Sequence, residues 1–192
     1  MTAPELDLTI PRTEPALVRT LHECSTEQSS VALYTMVPNM PESRLGEIAA
    51  MPQKDWQNQY EQSSQLVRPA RPTANFAGQT LRDIINSHII MDKELQPVKD
   101  GAAIAGWRPE SFIVVSNNSL ENHGLLFVYA QMEDGDEDDD EDDKIAEGEM
   151  GKFFFHPKDM FGLLSELTLE TYGYIDLEEK YNMDGEGEGD GN

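Results

Sequence analysis

"SFIVVSNNSLENHGLLFVYAQ", residues 111–131, decides how this chain folds. Its two apolar runs, 112–115 and 125–130, are too short for buried helices and rich in β-branched and aromatic side chains. Neither run alternates apolar with polar residues, so each reads as a central strand covered on both faces. Between them "SNNSLENHG" carries the Asn, Ser and Gly of a loop or a single helical turn. A sheet covered on both sides needs helices, and the flanking sequence supplies them.

On the C-terminal side, "KFFFH" (152–156) adds a strand that stops at Pro157. "KDMFGLLSEL" then puts Met160, Leu163, Leu164 and Leu167 on one helical face. "DLEEKYN" reads as a short last helix capped by Asp176, with Glu179 in the capping-box position. On the N-terminal side, "GQTLRDIINSHII" places Leu81, Ile84, Ile85, His88 and Ile89 at helical spacing. Thr80 and Asp83 form its capping box, and His88, on the apolar stripe, reads as a hydrogen-bonded core residue.

Further upstream, "LVRPARPTANFAG" (66–78) reads as a loop, because a proline pushes the residue before it out of the helical region. "KDWQNQYEQSSQ" predicts a helix with Trp56 and Tyr60 on one face, and "PESRLGEIAAM" one that buries Leu45, Ile48 and Ala49. "SVALYTMV" (30–37) fits strand and helix equally. "ALVRTL" (16–21) alternates and reads as a short strand, following a Pro-punctuated leader over 1–15. The expected fold is one α/β or α+β domain over 16–183, with a mixed sheet of about four or five strands and packing helices.

The chain has 192 residues and a formal charge of −23, unevenly spread. Residues 133–149 hold twelve carboxylates against Lys144, and the tail 184–192 adds four more. Carboxylates at this density repel one another and bury no apolar area, so both segments are expected to be disordered. The run stands between two strands, where a longer loop costs only about 0.6 kcal/mol per doubling of its length. It therefore reads as an insertion, 133–149, in an otherwise moderately acidic domain.

In order along the chain, "IPRTEPALVRT", "KDWQ", "GQTLRDII", "SFIVVSNNSL", "GLLFVYAQ", "GKFFFHPKDMF" and "LTLETYGYIDLEE" resemble an uncharacterised domain family of bacterial and some fungal proteins. The resemblance implies an α/β domain and carries no catalytic residue over, since no activity is known for that family. Two stretches depart from it: residues 23–52, which are extra, and the acidic run, where the family has a short turn.

Several function classes fall away. A lone cysteine, Cys24, leaves no intrachain disulfide and no thiolate zinc framework. No signal-peptide pattern opens the chain, and no eighteen apolar residues run together, so no membrane span is expected. An intracellular, cytoplasmic setting follows, with the nucleus as the alternative. Net charge argues against direct nucleic-acid binding. No phosphate loop, dinucleotide fingerprint or nucleophile elbow is present, and no cofactor is implied.

Within the acidic run, Asp136, Asp138, Asp140 and Glu147 occupy calcium-loop positions 1, 3, 5 and 12. Glu141 stands where that loop needs glycine, so no specific metal site follows. Asp136, Asp138, Asp139, Asp140, Asp142 and Asp143 instead form a candidate interaction tract for a basic protein surface. His22 and Cys24 stand two apart, a spacing that suits a thiol and its base, yet no orienting third group accompanies them. Arg68 and Arg71, in "RPARP", suit an anion or the protein's own acidic surface. The candidate polar site gathers Arg19, His22, Asn117, Asn118 and His123 near strand ends. Two functions are in play: a non-catalytic binding or accessory module, or a cofactor-independent enzyme acting on a small molecule, for instance in specialised metabolism.

Overall fold

The computed structural model describes residues 6–60, 64–132 and 145–183. The elements run α1 (Pro15–Val18), β1 (Cys24–Ser25), β2 (Ser30–Thr35), α2 (Glu42–Ala50), α3 (Gln53–Tyr60), β3 (Val67–Pro69) and α4 (Leu81–Ile90). β4 (Ala103–Ile104), β5 (Trp107–Val115), α5 (Leu120–His123), β6 (Leu125–Gln131), β7 (Glu149–Phe155), α6 (Met160–Thr168) and α7 (Tyr174–Tyr181) follow. Among the described residues, five strands make one mixed sheet in the order β3-β2-β5-β6-β7. β3, β2 and β5 are parallel, and β6 and β7 return antiparallel. β1 and β4 form a separate two-stranded parallel ladder.

Strand geometry sends successive side chains to opposite faces, and here both faces are apolar. Leu33, Ile113, Phe127 and Phe153 join one core with Ile48, Trp56, Leu163 and Leu177 from α2, α3, α6 and α7. Tyr34, Phe112, Val114 and Leu126 join the other with Leu17, Leu81, Ile84 and Ile85 from α1 and α4. The class is α+β, with helices packed on both sides of the sheet. The continuous apolar runs of β5 and β6 are thereby explained, since every residue of either run is buried.

"SVALYTMV" resolves as β2, in the middle of the parallel part, with all six strand residues buried. The Thr80–Asp83 capping box forms in both directions, at 3.2 Å and 2.9 Å. Three local expectations are corrected. "ALVRTL" is the helical turn α1 followed by a 3-10 turn over Arg19–His22. Pro15 begins that helix, and the neighbours Leu17 and Val18 enter the same core, which strand alternation forbids. "LVRPARPTANFAG" contains β3, whose Pro69 is tolerated because β3 is an edge strand. In α7 the cap is Gly173, whose N–H donates to Asp176 Oδ2 at 3.2 Å, so Asp176 lies inside the helix.

β5 carries a large irregularity: Ser30 pairs with Trp107 and Ala32 with Phe112, so Val31 alone faces the stretch from Arg108 to Ser111. The described part of the leader is tied to the body. Leu6, Leu8 and Ile10 pack on the α4-side core, and Met150 N–H donates to Arg12 O at 2.9 Å. Gly148 has φ +76° and comes so near Glu14 that a Cβ would lie 2.6 Å from its carbonyl carbon. The acidic run connects the neighbouring strands β6 and β7; its residues 133–144 and the tail 184–192, with the disorder expected of them, lie outside the described residues. Among the described residues no helix is long and apolar enough to cross a membrane.

Candidate functional site: a two-lobed trough beside the edge strand

β3 is short and built to stay at the edge. Gln53, at the start of α3, donates from Nε2 to Ser64 O at 3.0 Å and accepts Leu66 N–H at 3.2 Å, which pins the entry to β3. Val31 N–H donates to Leu66 O and Ala70 N–H to Leu33 O, so β3 hangs on β2 alone. Its outer side borders a trough in two lobes.

Arg68 is consumed by the fold. Its Nε donates to Ser30 Oγ at 2.9 Å, and its Nη2 to Gly106 O at 2.7 Å and Glu94 Oε2 at 3.2 Å. The guanidinium lies 3.8 Å from the Trp107 ring centroid and roofs that buried indole. Arg71, three residues on, is exposed and makes no hydrogen bond or ion pair with any described residue.

The opposite bank is the turn after α4. Asp92 Oδ1 accepts Glu94 N–H at 2.8 Å, and Glu94 takes φ +53°, a left-handed conformation unusual for a side-chain-bearing residue. Gly106 permits this, because a Cβ there would lie 2.8 Å from Glu94 Cβ. Between the two acids, Lys93 turns inward and its ammonium donates to the carbonyls of His88 and Met91, closing the end of α4. Burial pushes the Lys93 amine down to about 8, against the pull of Asp92 and Glu110.

The larger lobe, about 660 Å³, has Leu45, Pro69, Ala70, Pro72, Ala74 and Trp107 as its apolar lining and Glu42, Asp92, Glu94 and Arg71 as its charged one. The smaller, about 310 Å³, lies between β3 and α2. It is lined by Gly46, Ala49 and Ala50, by Gln53 and Gln65, and by Arg68 and Arg71. Pro69 and Arg71 belong to both lobes. Cavities of roughly 300–1,000 Å³ are the size that holds small ligands.

The five residues of the expected polar site do not meet. Arg19 and His22 are exposed on the 3-10 turn after α1, with His22 Nε2 3.2 Å from Glu147 Oε1. Asn117, Asn118 and His123 lie in the β5–β6 connection, where Asn117 Oδ1 accepts Ser119 N–H. Asn117 and His123 line a shallow depression of about 280 Å³ with Ser116, Asn122 and Phe154. Glu147 precedes the Gln131–Glu149 end of the β6–β7 pair, whereas His123 precedes the Leu125–Phe155 end. At about 3.4 Å per residue, the two groups sit about 20 Å apart.

Cys24 and His22 do not form a nucleophile pair. The thiol is held up by burial and by the Glu110 and Glu23 carboxylates, while the imidazole is turned to Glu147. Among the described residues no group of three or more His, Cys, Asp or Glu is placed to hold a metal ion. Asp136, Asp138, Asp139, Asp140, Asp142 and Asp143 lie outside the described residues.

A buried polar layer underlies the parallel strands without opening to the trough. His88 Nε2 donates to Arg108 O at 3.1 Å, so its Nδ1 accepts the Tyr34 hydroxyl at 3.0 Å. Burial, with Lys93 nearby, pushes the imidazole down to about 3 and keeps it neutral. Arg108 Nη1 donates to Glu110 Oε1 at 2.7 Å, and the Tyr174 hydroxyl donates to the same oxygen at 2.8 Å. Glu110 Oε2 and Arg108 Nε are buried with no hydrogen-bond partner among the described residues.

Sequence reasoning marked Arg68 and Arg71 but missed Glu42, Asp92, Glu94 and Trp107. These four belong to three separate segments, α2, the turn after α4 and β5, and no spacing rule joins the segments. No family model, curated protein or solved structure matches this chain.

Proposed function

We propose that this protein is a non-catalytic binding module whose ligand seat is the trough beside β3. One observation carries the reading: a cleft of about 660 Å³ beside β3 joins an apolar floor to several ionic groups, Glu42, Asp92, Glu94 and Arg71. Such a combination fixes a ligand's orientation by charge while the floor supplies contact area.

The competing reading, an enzyme acting on a small molecule, draws no support from the trough. Its lining contains no cysteine, serine, histidine or lysine. Burial, with the Glu110 and Glu23 carboxylates, pushes the Cys24 thiol up and away from a reactive thiolate. A basic protein surface binding the acidic run is a compatible second partner, since opposite charge steers such encounters.

The test is a titration of the ¹⁵N-labelled full chain with a set of small cations, anions and zwitterions, read by amide shifts. Saturable shifts gathered on Gly46, Val67, Ala70, Arg71 and Glu94 are the expected result. Shifts confined to the 116–123 loop, or chemical turnover of any probe, overturn the trough as a binding seat.

A further inference from the structure

We infer that the trough takes a ligand with a carboxylate and a cationic group on one short chain: a basic amino acid, free or as a peptide's C-terminal residue. The inference rests on the binding reading above and names the ligand's chemistry.

The lobes differ in sign. The smaller is lined by two arginines and no carboxylate, in a chain whose net charge is −23. Arg68 spends its Nε and Nη2 hydrogens on Ser30, Gly106 and Glu94, whereas Arg71 has none committed to a described residue. Arg71 is therefore the group that receives an anion, and a guanidinium fork matches a carboxylate in shape as well as charge. Gly46 leaves the α2 wall bare: a Cβ there would meet nothing within 4 Å.

The larger lobe is lined by three carboxylates, and these do not converge as metal ligands do. Acids spread around an opening suit a distributed cation, a guanidinium or an ammonium that donates in several directions. Such a cation comes on an aliphatic stem, and Leu45, Pro69, Ala70 and Ala74 give that stem an apolar bed. Because Arg71 and Pro69 belong to both lobes, one molecule reaches both signs of charge.

Four probes decide it, each titrated into the full chain and followed by amide shifts: arginine, the peptide Gly-Gly-Arg, its C-terminal amide, and Gly-Gly-citrulline. Gly-Gly-Arg is expected to saturate at trough amides, with amidation or citrulline each weakening binding about tenfold or more, as loss of a charge-assisted contact does. Arg71→Gln is expected to erase the penalty for amidation and keep that for citrulline. The double substitution Glu42→Gln with Asp92→Asn is expected to do the reverse. Gly46→Leu fills the smaller lobe from a helical position where leucine is favoured over glycine, so it should abolish binding while the chain melts at least as high. Free arginine binding as tightly as Gly-Gly-Arg identifies an amino acid as the source; tighter peptide binding identifies a chain terminus. Equal affinity for all four probes, or no trough shifts with any, overturns the ligand class. If the broader set still shifts trough amides, the binding module stands without that class; if nothing does, both fall.

Discussion

Arg68 and Arg71 lie three residues apart and have opposite fates. The first is held by Ser30, Gly106, Glu94 and the Trp107 face; the second is free of described partners and exposed. The pair was legible in "RPARP" as an anion site or an internal ion pair, and the structure shows the ion pair at Arg68. Nothing in that motif says which arginine faces Trp107, because the answer depends on how β3 registers against β2. His88 shows the converse: its place on the α4 stripe already marked it as a buried, hydrogen-bonded residue, and its two ring nitrogens are both engaged. In the unfolded chain this imidazole protonates below about 6.5, whereas in the fold it stays neutral to about 3. The unfolded state thus binds the extra proton, and folding stability falls by about 1.4 kcal/mol per pH unit across that window. Replacing His88→Phe removes this loss while leaving carboxylate titration common to both proteins. The stability gap between wild type and variant, measured by urea unfolding, is expected to shrink from pH 7 to pH 4.5; a constant gap would contradict a neutral buried imidazole.

At the scale of elements, β5 is the least ordinary strand. Its irregular stretch opposite Val31 places Arg108 and Glu110 side by side under Tyr174, each 5% exposed. Burying two charges costs several kcal/mol per ion before their attraction is counted, and here Arg108 Nε and Glu110 Oε2 gain no partner in compensation. Burial works against the Arg108 charge, and Glu110 and Tyr174 hold it in place. Glu110→Gln is therefore expected to destabilise the protein by about 3 kcal/mol or more, by stranding the guanidinium. The double replacement Arg108→Met with Glu110→Leu should cost clearly less. Thermal and urea unfolding of the three variants measure the difference; equal losses would show that the pair itself, not the stranded charge, carries the stability. The first half of β5 is not legible in sequence, since the apolar run that marks the strand begins only at Phe112.

For the whole molecule, the acidic insertion has a sharper boundary than composition suggests. Charge density points to 133–149, but Glu147 reaches His22, Gly148 N–H donates to Gln131 O, and Gly148 O accepts Glu14 N–H. Those last residues belong to the body. Deleting 133–144 and bridging with a short Gly-Ser turn is expected to leave one cooperative melt near the wild-type temperature. Deleting 133–149 removes the Gly148 contacts and the first residue of β7, and is expected to lower it by several degrees, the effect of about 1 kcal/mol in a domain of this size. Differential scanning calorimetry separates the two, and an equal loss in both would show that 133–144 is structural. Residues 23–52 supply β2 in the middle of the parallel strands and α2, one wall of the trough.

By itself the sequence determined the elements whose side-chain pattern is local: the buried strands β5 and β6, the capped helix α4, the apolar faces of α2 and α6, and the insertion between β6 and β7. Hydrophobic periodicity and capping act over a few residues, so they can be read from neighbours alone. Tertiary structure decided whether "SVALYTMV" pairs as a strand, whether β3 exists, and which polar residues share a surface. Those outcomes depend on contacts between distant segments. The trough is the clearest case: α2, β3, the turn after α4 and Trp107 become neighbours only when the parallel strands assemble.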